Sequence, residues 1–217
     1  MAYKKSIQTK KSIIESCKQI IFNKNWNDIT VRDIATVAKI NNPLIYYYFN
    51  NKDEIAYTIY ADMLSSVVDL SEEIIPFKDD MLLNHFIHVI LAYKCVSTSK
   101  IYNKLFMETL NTFDLSITTK FNSFSQIIEN QFYSIFKKYN INLEKKYAKI
   151  YGITAYAVAN SMFRSVLNNE VDFTFEESII FITRYWVINI GIDKSIYNDK
   201  INKALEICQN IDLSKFS

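Results

Sequence analysis

Residues Ile29 to Ile55 read ITVRDIATVAKINNPLIYYYFNNKDEI, and this run decides how the rest of the chain is interpreted. Thr30 opens a short helix as an N-cap, because its side chain can accept from a backbone N–H that the helix leaves unpaired. Asp33 then sets a negative charge in the first turn, where the helix dipole favours it. Ile34, Val37 and Ala38 give that helix its buried side. A break at Lys39 to Asn42 separates it from another short helix, which Asn41 or Asn42 can cap and Pro43 can start, since proline suits a first helical turn. Two short helices joined by about four residues form a helix-turn-helix candidate.

Working outward, Ile13, Ile14, Cys17, Ile20 and Ile21 recur at three- and four-residue intervals and predict an amphipathic helix from about residue 6 to 24. It stops at Asn25, a residue that tolerates the left-handed conformation of a helix terminus. Beyond Lys52 the pattern predicts long helices over about 52–74, 79–97, 100–111, 116–140, 144–169, 175–193 and 197–210. Pro76, Asp79-Asp80, Asn140 to Asn142 and Asn168-Asn169 supply the turn signals between them. The clearest stripe is Ile117, Phe121, Phe124, Ile128, Phe132, Ile135 and Phe136, one face of a helix that must be deeply buried.

Composition agrees with an all-α fold. The 217 residues are 49% hydrophobic, and they include only two glycines and two prolines, so turns needing special backbone are few. The glycine scarcity also removes GxGxxG and GxxxxGK[ST] phosphate cradles, and no cofactor is expected. The expected division is a helix-turn-helix domain over 1–51 and an all-helical body over 52–217, which the resemblance described below implies is an effector-binding and dimerisation domain.

Charge supports that division. Residues 1 to 52 carry nine basic and three acidic side chains, a net of +6, while the remainder nets −4. A basic head on a mildly acidic body suits nucleic-acid binding, and a solvated lysine-rich tail is the plainer alternative.

Several classes are disfavoured. No apolar run approaches the roughly 20 residues that span a bilayer, and the N-terminus lacks a secretory pattern, so a cytoplasmic protein is expected. Cys17, Cys95 and Cys208 are odd in number and far apart, which fits reduced core thiols. His85 and His88, with Cys95 two turns on, share one helix side, but one straight helix does not wrap a tetrahedral ion, and no metal is expected. Catalysis is disfavoured as well, for no HExxH or GxSxG occurs and histidines number only two.

The stretch from Ile29 to Ile55 resembles the DNA-binding domain of the tetracycline-repressor (TetR) family. Thr30, Asp33, Ile34, Ala35, Ala38, Ile40, Ile45, Tyr46, Tyr48, Phe49, Lys52, Glu54 and Ile55 fall where that family's pattern wants the same or a similar residue. Two departures stand out. Lys39 replaces the usual turn glycine, so either it adopts the left-handed conformation at a cost of about 1–2 kcal/mol or the turn is shaped differently. Leu44 stands where a small polar residue is common, and its methyls can meet a thymine methyl or pack.

The resemblance implies that the second short helix lies in the major groove, with Asn41, Asn42, Pro43 and Leu44 at its reading end and Tyr47 and Tyr48 offering hydroxyls and ring faces. Thr30, Arg32, Tyr46 and Lys52 would hold phosphates, with Lys4, Lys5, Lys10 and Lys11 as a looser arm. Tyr46 serves equally as a core residue, and Ile45 and Phe49 are expected to be core.

The resemblance further implies a homodimer on double-stranded DNA and a small-molecule site. Gly152, Ala155 and Ala159 on one helix, with Phe181, Tyr185, Trp186 and Ile188 on the next, would build a four-helix bundle with a second copy. Phe86, Tyr93, Phe106, Met107, Phe124, Phe132, Asn160 and Phe163 would line an aromatic cavity. The expected function is therefore a transcriptional regulator, a repressor released from a palindromic operator by a small apolar or aromatic effector. The alternative is a helical carrier or adaptor that binds a hydrophobic ligand without reading DNA.

Overall fold

A computed structural model describes residues 2–109 and 122–216, with the side chains of 2–5, 122–125, 127 and 215 left undescribed. Among the described residues the secondary structure is helical: α1 (Ala2–Asn23), a 3-10 turn (Trp26–Asp28), α2 (Val31–Ala38), α3 (Asn42–Tyr48), α4 (Lys52–Ile74), α5 (Met81–Thr98), α6 (Lys100–Thr109), α7 (Asn122–Lys138), α8 (Lys145–Leu167), α9 (Phe175–Asn189) and α10 (Lys194–Gln209), with a closing 3-10 turn (Ser214–Phe216). Ile117 and Phe121 of the expected stripe, together with the Phe124 side chain, lie outside the described residues, as do the side chains of Lys4 and Lys5.

The chain divides into two compact units. The first gathers α1 to α3, α4 as far as Leu64, and α6; the second holds α4 from Ser65, α5 as far as Cys95, and α7 to α10. The division therefore falls within α4 rather than at its start, and α6 joins the head.

Packing in the first unit follows from the apolar stripe of α1. Ile13, Cys17 and Ile21 have no exposed surface, and α2 and α6 pack on this helix. Its end differs from expectation: α1 stops at Asn23, and Asn25 is extended with φ −72° and ψ 150°, beginning the 3-10 turn. Lys104 of α6 supplies the closure, its ammonium donating to the Ile21 and Lys24 carbonyls at 3.0 and 2.9 Å. Those are terminal carbonyls that a helix cannot satisfy internally, and a cation there also suits the dipole.

In the second unit α8 packs between α7 and α9. Asn140 and Asn169, at φ 54° and 57°, form the left-handed turns that follow α7 and α8. Thr174 and Glu177 make a reciprocal capping box at the start of α9. The three cysteines are free and buried, and burial pushes the Cys17 and Cys208 thiols up to about 12. No described helix is long and apolar enough to cross a membrane.

Candidate nucleic-acid interface and regulatory core

The reading head begins at a full capping box. Thr30 Oγ1 accepts from the Asp33 backbone N–H at 3.1 Å, and the Asp33 carboxylate accepts from the Thr30 backbone and hydroxyl at 2.9 and 2.8 Å. Those two donations hold the Asp33 carboxyl below the ordinary carboxylate range. The Thr30 side chain is thus engaged in fixing where α2 starts.

Lys39 resolves the choice left open at the turn. It sits at φ 55° and ψ 42°, the left-handed region, and its N–H turns back to Ala35 and Thr36 while the Ile40 N–H reaches the Ala35 carbonyl at 3.0 Å. This is the closure in which glycine is usual. Asn41, not Asn42, caps α3: its side chain accepts from the Leu44 N–H at 3.1 Å, and Pro43 occupies the first turn.

The outcome is a seven-residue helix pinned at its base and open along its outer side. Ile45 and Phe49 are 1% and 2% exposed, as expected for core. Asn41, Asn42 and Pro43 are exposed at the N-terminal end, Leu44 and Tyr48 are half-buried, and Arg32 is exposed on the first turn of α2. Tyr46 and Tyr47 project at 56% and 77% exposure, so Tyr46 belongs to the surface rather than the core. The Tyr47 and Tyr48 rings meet edge to face at 5.0 Å, which limits the rotation of both.

Lys52 also holds the fold. Its ammonium donates to the Trp26 and Ile29 carbonyls, each at 2.8 Å, and lies 4.6 Å from the Trp26 ring centroid. It staples the turn before α2 to the start of α4, and of its three ammonium donors two are engaged in this way. Lys10 stands 5.2 Å over the Phe49 ring. Residues that sequence reasoning missed surround the same end of α1: Lys100 over the Phe22 ring at 4.6 Å, Lys104 as described, and Glu108 accepting from the Asn27 N–H at 3.1 Å.

The residues expected to line an effector cavity are shared between the two units. Phe106 and Met107 belong to the first unit, and Phe86, Tyr93, Phe132, Asn160 and Phe163 to the second. Tyr93 donates to Asn160 Oδ1 at 2.8 Å and stacks at a tilt on Phe163, 4.5 Å between centroids. Phe86 and Phe132 join a different cluster with His85 and Trp186. A cavity of about 440 Å³ lies elsewhere in this unit, lined by Ile90, Lys94, Phe175, Asn202, Leu205 and Cys208 among others.

The expected dimer residues also separate. Phe181, Tyr185 and Ile188 are 46%, 47% and 40% exposed at helical spacing on α9. Trp186 is 3% exposed and faces inward, 4.8 Å from Phe132 and 5.0 Å from His85, so it belongs to the unit's own core. Gly152 is buried against α7, where an added Cβ would meet Ile128 Cγ2 at 2.7 Å, and Ala159 is 6% exposed. Both serve intrachain packing, while Ala155 remains half-buried. Tyr147, Ile150 and Phe173 add further exposed apolar surface that the sequence reading did not select.

No group of three or more His, Cys, Asp or Glu side chains that could hold a metal occurs among the described residues.

Comparison with known proteins accords with this geometry. A model of bacterial regulatory proteins of the tetR family matches residues 13–57, the stretch from the core face of α1 to the start of α4. The HTH-type dhaKLM operon transcriptional activator DhaS of Lactococcus lactis is 29% identical over 80 residues, covering 37% of this chain and 43% of that protein. The chain thus spans less than half of the curated relative it matches. Among solved structures, RolR in complex with resorcinol superposes with a TM-score of 0.68 at 12% identity, covering 96% of this chain and 97% of that one. FadR of Bacillus subtilis in complex with stearoyl-CoA gives 0.57 at 14% identity, over 84% and 98%. At such identities the likeness is one of fold.

Proposed function

We propose that the chain is a DNA-binding transcription factor of the tetR family, whose model matches residues 13–57, and that it is a repressor released from a palindromic operator by a small apolar or aromatic effector. The observation that carries the DNA-binding part is the exposed outer side of α3, where Asn41, Asn42, Pro43, Tyr46 and Tyr47 project from a helix whose other side is anchored by Ile45 and Phe49. Apart from the edge contact of Tyr47 with Tyr48, these exposed phenols add little to the head's own packing, whereas amides and phenols there match base edges and phosphates. Arg32 is exposed at the start of α2, which supports a role in contacting the phosphate backbone.

One such head reads too few bases for selectivity, so two copies act together on half-sites about 34–36 Å apart. The exposed Phe181, Tyr185 and Ile188 of α9, with Ala155 of α8, offer the apolar surface on which two copies join. The regulatory body takes the effector in its aromatic interior. RolR and FadR, which share the fold, hold a small phenol and an acyl thioester respectively. An effector acts by binding one conformer better than another, and such coupling is typically worth about 1–3 kcal/mol.

The test is binding of the purified protein to fragments of its own upstream DNA, measured by fluorescence anisotropy against salt with nonspecific competitor present. Saturable binding that depends on a palindrome and falls steeply with salt is expected. Binding no tighter than to random DNA refutes the proposal. Release by lipophilic compounds then tests the repressor half.

A further inference from the structure

Three polar atoms in the second unit lack what burial requires. His85 Nδ1, His88 Nδ1 and Gln131 Oε1 are enclosed without any hydrogen-bond partner in the protein, and their residues are only 4%, 5% and 9% exposed. Buried polar groups are almost always paired, because losing water without replacement is costly. The three lie together. His85 and His88 stand one turn apart on α5 with ring centroids 6.3 Å apart, and Gln131 of α7 approaches His85 without a hydrogen bond of acceptable geometry reaching its Oε1. Rings surround them: from His85 the centroids of Trp186, Phe132 and Phe86 are 5.0, 5.5 and 6.3 Å away.

The chemistry of a partner follows from the atoms. A carboxamide oxygen only accepts, so whatever meets Gln131 must donate. A neutral imidazole has one donor and one acceptor nitrogen, so a hydroxyl can serve a histidine in either tautomer. Burial keeps both rings neutral, taking His85 down to about 3 and His88 to about 4. A carboxylate or ammonium would enter this setting as an uncompensated charge, while flat apolar walls favour an aromatic ring.

We propose that His85, His88 and Gln131 form the recognition point for a neutral, hydroxylated aromatic ligand, whose hydroxyl supplies the bonds these atoms lack and whose ring lies among Phe86, Phe132 and Trp186. This rests on the ligand-responsive reading above and specifies the class of effector. The three atoms are closed over in the structure, so binding must part α7 from α5. A ligand that prefers the parted arrangement shifts the population toward it, which is how occupancy becomes a change of conformation.

Phenol and toluene provide the test, being alike in shape and different in the hydroxyl. On the full-length protein without DNA, followed by calorimetry and by Trp186 fluorescence, phenol is expected to bind at least about tenfold more tightly than toluene, the worth of roughly one hydrogen bond. Gln131→Met should erase most of that preference and raise the melting temperature of the free protein, because an orphaned buried oxygen is replaced by an apolar chain of similar length. His85→Phe gives a second reading of the preference if Gln131→Met fails to fold. Equal affinity for the two compounds, or no phenol binding by the wild type, overturns the proposal. So does a preference unchanged in the variants, or a lower melting temperature for Gln131→Met, which would mean that an internal water already satisfies the site. Hydroxyl-dependent binding with no effect on DNA affinity upholds this site and counts against the regulatory reading, so the two fail separately.

Discussion

Replacing Phe181 by alanine should dissociate the proposed dimer without unfolding the chain. An aromatic side chain covers roughly 200 Å², and Phe181 is 46% exposed, which leaves about 90 Å² for a partner to cover. At about 25 cal/mol per Å² the truncation removes roughly 2 kcal/mol of burial. In a two-fold interface each substitution occurs twice, so the dimer loses about 4 kcal/mol and its dissociation constant rises roughly a thousandfold. Inside its own chain Phe181 touches Phe173 edge to face at 6.0 Å, both at the surface, so the monomer should lose little. Sedimentation across a concentration series reads the constant, and thermal unfolding at low concentration reads the fold. A variant that dimerises as tightly as the wild type would refute the assignment of this face. A wild type seen only at 25.5 kDa would refute the dimer itself.

Other outcomes follow from the head and the buried histidines. Lys39→Gly should stabilise the first unit by about 1 kcal/mol, since glycine adopts φ 55° without the left-handed penalty and gives back only part of the gain as chain entropy; a lower unfolding midpoint would contradict the turn geometry. Arg32→Ala should lower the salt slope of DNA binding by about one, whereas Lys52→Met should cost roughly 1–3 kcal/mol of stability through the two carbonyls it abandons. An unchanged unfolding midpoint for Lys52→Met would contradict the staple. Acid should destabilise the second unit in a definite window. His85 and His88 titrate near 3 and 4 when folded and near 6.5 when unfolded, so below pH 6.5 the unfolded chain binds more protons and stability falls, by about 1.4 kcal/mol per pH unit for each ring. Urea midpoints at pH 7, 6 and 5 measure this, and a His88→Phe variant with an undiminished pH dependence would rule it out.

What the sequence disclosed was what its local spacing enforces. Thr30 as the N-cap and Asp33 in the first turn could be read before any fold was known, though not the reciprocal bond between them, and the same holds for Pro43 in the first turn of α3. At Lys39 local reasoning narrowed the turn to two shapes, and the Schellman-type bonding from Ile40 to Ala35 selects the left-handed one. Lys104 was illegible because its partners lie 83 and 80 residues earlier, and nothing around α6 announces that its lysine closes α1. The structural role of Lys52 was illegible for a related reason: in the linear sequence it is simply a basic residue after α3, and only the folded turn brings two carbonyls and an indole to it.

The regulatory body shows where periodicity itself loses force. Tyr185 and Trp186 are neighbours of similar hydrophobic character, yet one is 47% exposed and the other 3%. A helix with one apolar stripe declares its buried face, but α9 carries Ile179, Ile182, Trp186 and Val187 inward and Phe181, Tyr185 and Ile188 outward, so hydrophobicity surrounds most of it. Which rings turn in is settled by what they meet, here His85 and Phe132 for Trp186. The leftover apolar side is then informative in its own right. Intrachain packing has already claimed Gly152, Ala159 and Trp186, so it cannot be the reason for three large side chains that remain open to solvent at intervals of four and three residues. Spaced in this way on one helix, they form a contiguous strip, and a second copy presenting the same strip would cover it with the self-complementarity that a two-fold axis demands.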